Sequence, residues 1–386
     1  MTVQELGRDE SGDDELQRLL RESAHAFAAK DTSLERVRKL KQGGVEFDRD
    51  IWAKCAELGW TGMLVPEQYG GSGLGISDFA IIAEELGGQL VPEPLVSAAA
   101  FAASLIARSG NEELKADLLP KLVSGTLIPA VAWQEDARNL DVEPTRTRAR
   151  VTGETIVLSG EKDHIRPGAD CDGFIVSAAA EGSCALYWVP AATDGMEVSR
   201  RLLADGTSLC RLVLDNVSIP ASMTLATPGD ALAQLRRALD ETLLLVCAEL
   251  NGLSRAALDM TIEYLRTRVQ FDKPLGSFQA LQHRAVDLFI QQEIAAAVAE
   301  ETLAAVADQT DERTRSTEAS RAKARCSDAA LLITKEAIQL HGAIGFTDEH
   351  DIGMYLNRAL VLSAWLGNGA MHRKRFAALR ESANTI

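Results

Sequence analysis

The 386 residues hold 40 Lys and Arg against 56 Asp and Glu, a formal net charge of -16, which excludes a nucleic-acid surface because phosphate binding needs clustered cations. Hydrophobic residues make up 46% and aromatics 5%, with alanine and leucine prominent, so a mostly helical protein of two or three packed units is expected. Six scattered cysteines without CxxC spacing indicate neither a zinc site nor a disulfide framework, and they fit a reducing cytoplasm.

The N-terminal MTVQELGRDESGDDELQ has no basic region followed by an apolar core, and no later apolar run is long enough for a bilayer, so neither export nor membrane insertion is expected. From Glu15 to about Leu122 apolar residues recur at helical spacing, as in DFAIIAEELG and EPLVSAAAFAASLIARSG, around a loop VPEQYGGSGLG. Between about Ile128 and Thr224 short β-branched runs bounded by Gly, Asp or Pro, such as RVTGETIVLSG and SLCRLVLDNVSIP, predict a compact antiparallel β unit. After Pro228 long helical patterns return. One ends at YLRTR, the next starts near Ser277 with Phe278, Leu281, Ala285 and Leu288 on one face, and a third runs from about Ser316 to Leu340. A fourth follows Gly353 and a short fifth closes the chain. The predicted architecture is mainly α with an inserted β domain: an N-terminal helical domain (1–125), a middle β domain (126–226) and a C-terminal four-helix bundle (227–386).

Between the first two long helices lies RTRVQFDKPLGSFQ, Arg266 to Gln279, which puts cations, phenylalanines and a proline-bounded turn into an acidic chain. With GWTGMLVPEQYGGSGLG (Gly59 to Gly75), LPKLVSGTLIPAVAWQED (Leu119 to Asp136) and QLHGAIGFTDEH (Gln339 to His350), it resembles the acyl-CoA dehydrogenase family along nearly the whole chain. The resemblance implies FAD-dependent α,β-dehydrogenation of an acyl-CoA thioester, in which a carboxylate takes the α proton and hydride leaves the β carbon for the flavin. It also implies that FAD lies at a subunit interface, with its ADP end held by the neighbouring chain. On that match Arg268 reaches the diphosphate, a task suited to the fixed donors of a guanidinium. Gln270 supplies a polar contact, Phe271 an apolar wall, Phe278 and Gln279 the adenine-side surface, and Gln339 with Gly342 the QxxG element. A family glycine is replaced by Asp272 and another by Ala343. No metal site is implied.

Two parts of the family pattern are missing. The ring-binding word GxKxWI(S/T)N reads GEKDHIRPGAD here: Lys162 and Ile165 are kept, but His164, Arg166 and Pro167 stand at the tryptophan, hydroxyl and asparagine positions. His164 is expected to be structural, and Arg166 either to exclude the ring or to pair with Asp163 or Glu161. The base is the second loss. Leu366 occupies the usual glutamate position before Gly367, and Thr242 the alternative one. Glu241 is turned about 100° from Thr242 on a helix, and Glu249 lies about 10.5 Å further along it. The resemblance is therefore to the companion subunit of unequal pairs acting on steroid or dicarboxylyl-CoA substrates. This chain would clamp FAD for a base-bearing second subunit. The alternatives are a self-sufficient homotetramer with a relocated base such as Glu241, and a structural homologue that binds no flavin.

Overall fold

The computed structural model describes residues 10–168, 170–307 and 311–381, so the predicted outer bounds at 1 and 386 lie outside the described residues. Helices α1 (Glu10–Asp31), α2 (Leu34–Gly43), α3 (Arg49–Glu57) and α4 (Ile76–Gly88) precede a π-helical run, Leu95–Ala102, that continues as α5 (Ala103–Ala107) and is followed by α6 (Glu112–Val123). Strands β1 (Pro129–Ala132), β2 (Arg148–Thr152), β3 (Thr155–Ile165), β4 (Gly173–Ala180), β5 (Ser183–Pro190), β6 (Met196–Leu202), β7 (Ser208–Pro220) and β8 (Thr224–Ala226) come next. Then follow α7 (Ala231–Thr267), a hairpin of β9 (Val269–Gln270) and β10 (Lys273–Pro274), α8 (Gln279–Ala307), α9 (Glu312–His341), α10 (Ile352–Ala364) and α11 (Gly369–Glu381). The N-terminal helices, middle sheet and C-terminal bundle are those the sequence predicts. Packing groups the described residues into two compact units, one drawn from residues 10–16, 40–79 and 92–242, the other from 17–39, 80–91 and 243–381.

In the first unit the sheet runs β6-β7-β3-β2-β4-β5-β8, with β1 beside β4. Most neighbours are antiparallel, as short glycine-bounded runs predict. Two pairings at β4 are parallel instead: β1 pairs from Pro129 opposite Gly173, and β2 meets it at Arg148 and Ala179. Parallel pairing needs a long crossover, which the 140s loop and the β2-β3 hairpin supply. With neighbours on both edges, β4 is buried almost throughout, and GFIVSAAA reads as a continuous apolar run rather than an alternating one. The core is built on Ile156, Leu158, Phe174, Val176, Tyr187, Val189, Leu212 and Leu214.

The second unit is the bundle. A Cβ on Gly252 would lie 1.8 Å from the Glu84 carbonyl oxygen, and one on Gly87 2.5 Å from that of Glu249, so this glycine pair is what lets α4 and α7 touch backbone to backbone. Helix α9 is tied to α8 by Arg284 Nε to Glu336 Oε2 (3.1 Å) and Arg325 Nη2 to Gln291 Oε1 (2.7 Å). It begins at Glu312 rather than the predicted Ser316 because Asp311 caps it, its carboxylate accepting the Thr314 N–H at 2.8 Å.

Candidate functional site

The RxxF word folds as a closed hairpin. The Arg268 N–H donates to Tyr264 O and the Leu275 N–H to Arg268 O, both at 2.9 Å. The two turn residues, Phe271 (φ 56°) and Asp272 (φ 65°), are both left-handed, the conformation a two-residue hairpin with native twist requires. This turn throws the Phe271 ring outward, 83% exposed. It meets Phe278 edge-on at 6.1 Å between centroids, while Lys273 Nζ lies 4.2 Å from the Phe278 centroid. Arg268 and Gln279 are exposed, and Gln270 Nε2 donates to the Val269 carbonyl at 2.9 Å. Since Asp272 occupies a conformation that glycine adopts without steric cost, Asp272→Gly should raise stability by about 0.5–1 kcal/mol, read as a higher denaturant midpoint at unchanged slope.

The QLHG word meets this hairpin through an aromatic stack that the sequence reading missed. Tyr264 lies against His341 at 4.5 Å between centroids and 27° between planes, and His350 packs on His341 at 4.5 Å. Tyr264 is one turn before Arg268 and His341 directly precedes Gly342, so the stack sets the RxxF and QLHG words side by side. A tyrosine four residues ahead of the arginine and a histidine inside QLHG were the available signals. Burial lowers the His341 pKa, so the ring stacks as a neutral imidazole, with Nδ1 2.7 Å from Ala337 O. Gly342 has φ 64° and ψ -141°, a region essentially closed to other residues, and a Cβ there would meet nothing within 4 Å. Gln339 is exposed. An exposed guanidinium with no ion-pair partner among the described residues, a solvent-facing phenyl ring and an open glycine backbone fit the diphosphate and adenosine end of FAD.

The ring-binding word does not fit the flavin in the same way. Lys162 is fully buried and donates to Glu135 Oε1 (2.9 Å), Ser177 Oγ (3.0 Å) and Trp133 O (3.1 Å). Burial pushes its pKa down to about 8, although Glu135 pulls the other way. Glu135 also accepts the backbone N–H groups of Thr145, Arg146 and Thr147 at 2.9–3.0 Å. Although burial opposes it, Lys162 and these donors hold its carboxyl far below the usual range. Gln134 Nε2 bonds back to Asp136 O and Asn139 O of its own loop. His164 sits at φ 58° in a β3 bulge, where the register with β7 slips between Lys162 and Ile165. Buried Arg166 donates to Thr207 Oγ1 at 3.3 Å, while Asp163 takes Arg201 and Glu161 takes Arg211. Beyond it, Glu46 accepts the Gly168 N–H (3.0 Å) and the Ser208 hydroxyl (2.5 Å). Glu161, Lys162 and Asp163 of the word are thus engaged in internal ion pairs, and it presents no indole or hydroxyl for a flavin ring.

Both spare carboxylates are paired with arginine. Glu241 is held by Arg108 Nη2, 2.7 Å and 2.8 Å from its two oxygens, and by Arg237 Nε at 2.9 Å. Glu249 is paired with Arg358, whose Nε lies 3.0 Å from Oε1, with both side chains under a tenth exposed. Thr242 is buried and bonds back to Ala238 O at 2.6 Å. Leu366, at φ 58°, is buried beyond the end of α10.

Two basic side chains fasten that helix end, and sequence reading found neither. Lys323 Nζ donates to Leu362 O (2.9 Å), Ser363 O (3.1 Å), Gly367 O (3.2 Å) and Ser327 Oγ (3.1 Å), and His372 Nε2 lies 2.9 Å from Leu366 O. The bonds to Leu362 O and Ser363 O occupy carbonyls that the C-terminus of α10 leaves without partners, and those to Leu366 O and Gly367 O fasten the segment after it. Burial lowers the Lys323 pKa to about 8; burial, with Lys323 nearby, lowers that of His372 to about 3. The sequence signal for Lys323 was its small neighbours at helical spacing, Ala319, Ser320, Cys326 and Ser327.

Family models match the chain as the acyl-CoA dehydrogenase N-terminal domain over residues 14–126 and C-terminal domain over residues 231–379. The chain is 30% identical to acyl-CoA dehydrogenase IpdE2 of Mycolicibacterium smegmatis, covering 93% of this chain and 97% of that protein. The ChsE4-ChsE5 complex of Mycobacterium tuberculosis is similar in structure with a TM-score of 0.86 and 25% identity, covering 99% of each chain. A variant of the Tcur3481-Tcur3483 steroid ACAD is similar with a TM-score of 0.84 and 28% identity, covering 97% of this chain and 98% of that one. No helix among the described residues is long and apolar enough to cross a membrane. With both ends matched by the family models and a relative aligned over nearly the full length, the chain belongs to the acyl-CoA dehydrogenase family of FAD-dependent oxidoreductases.

Proposed function

We propose that this chain is the companion subunit of an unequal acyl-CoA dehydrogenase pair, holding the ADP end of an FAD whose ring and catalytic base belong to a second subunit of the same family. The observation that carries this reading is an asymmetry of side-chain use. The RxxF word leaves Arg268 exposed and without an ion-pair partner among the described residues, whereas Glu241 and Glu249 are each locked to arginine and Lys162 of the ring word is tied to Glu135. The relatives described as a ChsE4-ChsE5 complex and as a Tcur3481-Tcur3483 steroid ACAD support a two-chain assembly. Bound FAD would supply the hydride acceptor for α,β-dehydrogenation of the acyl-CoA. On this chain, Arg268 neutralises the diphosphate, Phe271 and Phe278 with Gln270 and Gln279 flank the adenosine, and Gln339 with Gly342 admits the cofactor to the backbone. All six cysteines are free and buried, which supports a reducing compartment, the cytoplasm.

Co-expression with acyl-CoA dehydrogenase-type subunits, followed by native mass measurement and a flavin spectrum, tests the proposal. The chain purified alone should be colourless and without acyl-CoA oxidation, and the complex yellow and active. Arg268→Ala should weaken flavin retention in the complex by roughly 10- to 150-fold, since a charge-assisted phosphate contact is worth about 1.5–3 kcal/mol. Full flavin occupancy and turnover by the isolated chain would overturn the companion role.

A further inference from the structure

Helix α10 begins with a buried residue, Ile352, whose N–H is one of the donors that a helix start leaves without a carbonyl. Asp351, at the N-cap, makes no side-chain capping bond, and its carboxylate takes Arg38 of α2 instead. The acceptor is His350: the Ile352 N–H donates to its Nδ1 at 3.1 Å. That bond fixes the state of the ring. An Nδ1 that accepts keeps its lone pair, so this imidazole is neutral and carries its hydrogen at Nε2.

The same ring completes the stack that joins the RxxF and QLHG words. It packs on His341 at 4.5 Å between centroids and meets Tyr264 edge-on at 6.2 Å. His341 is not the titrating member. Its Nδ1–H is given to Ala337 O, its Nε2 is buried without a hydrogen-bond partner among the described residues, and burial opposes its charge. The charged groups around His350 are Asp348, Glu349 and Asp351 of its own segment, with Arg38 of α2 donating to Asp348 O and to Asp351. Tyr264 of α7 and His341 of α9 are the titratable groups packed against it. A second proton can enter His350 only at Nδ1. There it abolishes the cap, sets N–H against N–H, and places a cation at a helix N-terminus, where the macrodipole opposes it. We propose that His350 is a positioning residue: as a neutral imidazole it holds the start of α10 and, through His341 and Tyr264, the RxxF and QLHG words, and protonation at Nδ1 releases them. The consequence for the cofactor rests on the reading that these words grip the ADP end of FAD, a grip that then falls away in acid.

Hydrogen exchange on the full-length isolated chain reads this latch without any flavin. After correction for intrinsic exchange rates, peptides covering 348–356 and 264–276 should lose protection by roughly 3- to 30-fold between about pH 8 and about pH 5.5, the scale of one lost helix cap. A peptide of α9 covering 318–330 serves as the reference and should not move. The pH response should vanish in both His350→Asn and His350→Phe. Of these, the Asn variant keeps a cap-type acceptor and should leave 348–356 protected, while the Phe variant keeps only a ring and should leave it exchanging fast at either pH. Wild-type protection that ignores pH overturns the proposal, as does a variant that retains the wild-type pH response, or acid loosening of 348–356 that leaves 264–276 unchanged. In the complex, acid should strip flavin from the wild type more readily than from His350→Asn. The two readings fail separately: exchange that behaves as stated, with flavin retention equal in all three chains, keeps the latch and sinks the assignment of the diphosphate to Arg268.

Discussion

Arg358→Met should destabilise the chain by about 3–5 kcal/mol, because it strands the Glu249 carboxylate in the bundle interior without its counter-ion. Both side chains are under a tenth exposed and Arg358 donates through two nitrogens to one oxygen of Glu249. Water therefore cannot replace the lost partner cheaply. Removing both charges is a different experiment. Arg358→Met/Glu249→Met exchanges the pair for apolar volume and should regain most of the loss, since a buried ion pair is seldom worth more than well-packed hydrophobic side chains. Denaturant melts of the two single variants and the double variant give the coupling directly. The same series bears on function. If freeing Glu249 by Arg358→Met produced acyl-CoA oxidation in the isolated chain, Glu249 would be a usable base and the companion-subunit reading would fall.

That Glu249 was an ion-pair member and Glu241 a doubly clamped one was not legible in the sequence, and the reason is distance along the chain. Periodicity shows that Glu241 faces away from Thr242, but its main partner, Arg108, is 133 positions earlier, in a segment that reads only as the end of an alanine-rich helix. Glu135 likewise gathers its donors from the 145–147 loop and from Lys162. Local patterns served better. The helices of the bundle, the face of α8 through Leu281, Ala285 and Leu288, and a proline-bounded turn ahead of it follow from spacing and proline. The parallel partnership of β1 with β4 did not, since PAVA has no feature that distinguishes parallel from antiparallel company. Composition was silent on Tyr264 and His341 for a related reason: stacking depends on where two helix ends meet, and each end on its own is an ordinary amphipathic terminus.

Lys323→Met should cost at least as much as the loss of Arg358, and no second substitution should repair it. Three of the four acceptors of Lys323 are backbone carbonyls, Leu362 O, Ser363 O and Gly367 O, at the buried end of α10. Orphaning a buried acceptor costs about 1–3 kcal/mol each, partly offset because the lysine no longer has to be buried at the expense recorded in its lowered pKa. We expect a net loss of about 3–5 kcal/mol, seen as a fall in melting temperature at pH 7. A pH series separates this clamp from generic core damage. His372, bonded to Leu366 O on the same segment, has a pKa of about 3 in the folded chain against an ordinary 6.5, so between those values the unfolded chain binds the extra proton. Its contribution to stability is complete above about pH 6.5 and is lost progressively as the pH falls toward about 3. Part of that depression comes from the Lys323 charge, after burial. Removing the charge should raise the His372 pKa and shallow the acid-side loss, even as stability at neutral pH drops. A variant that lost stability equally at every pH would show that Lys323 and His372 act independently, and that the α10 end is held by packing rather than by this pair of buried bases.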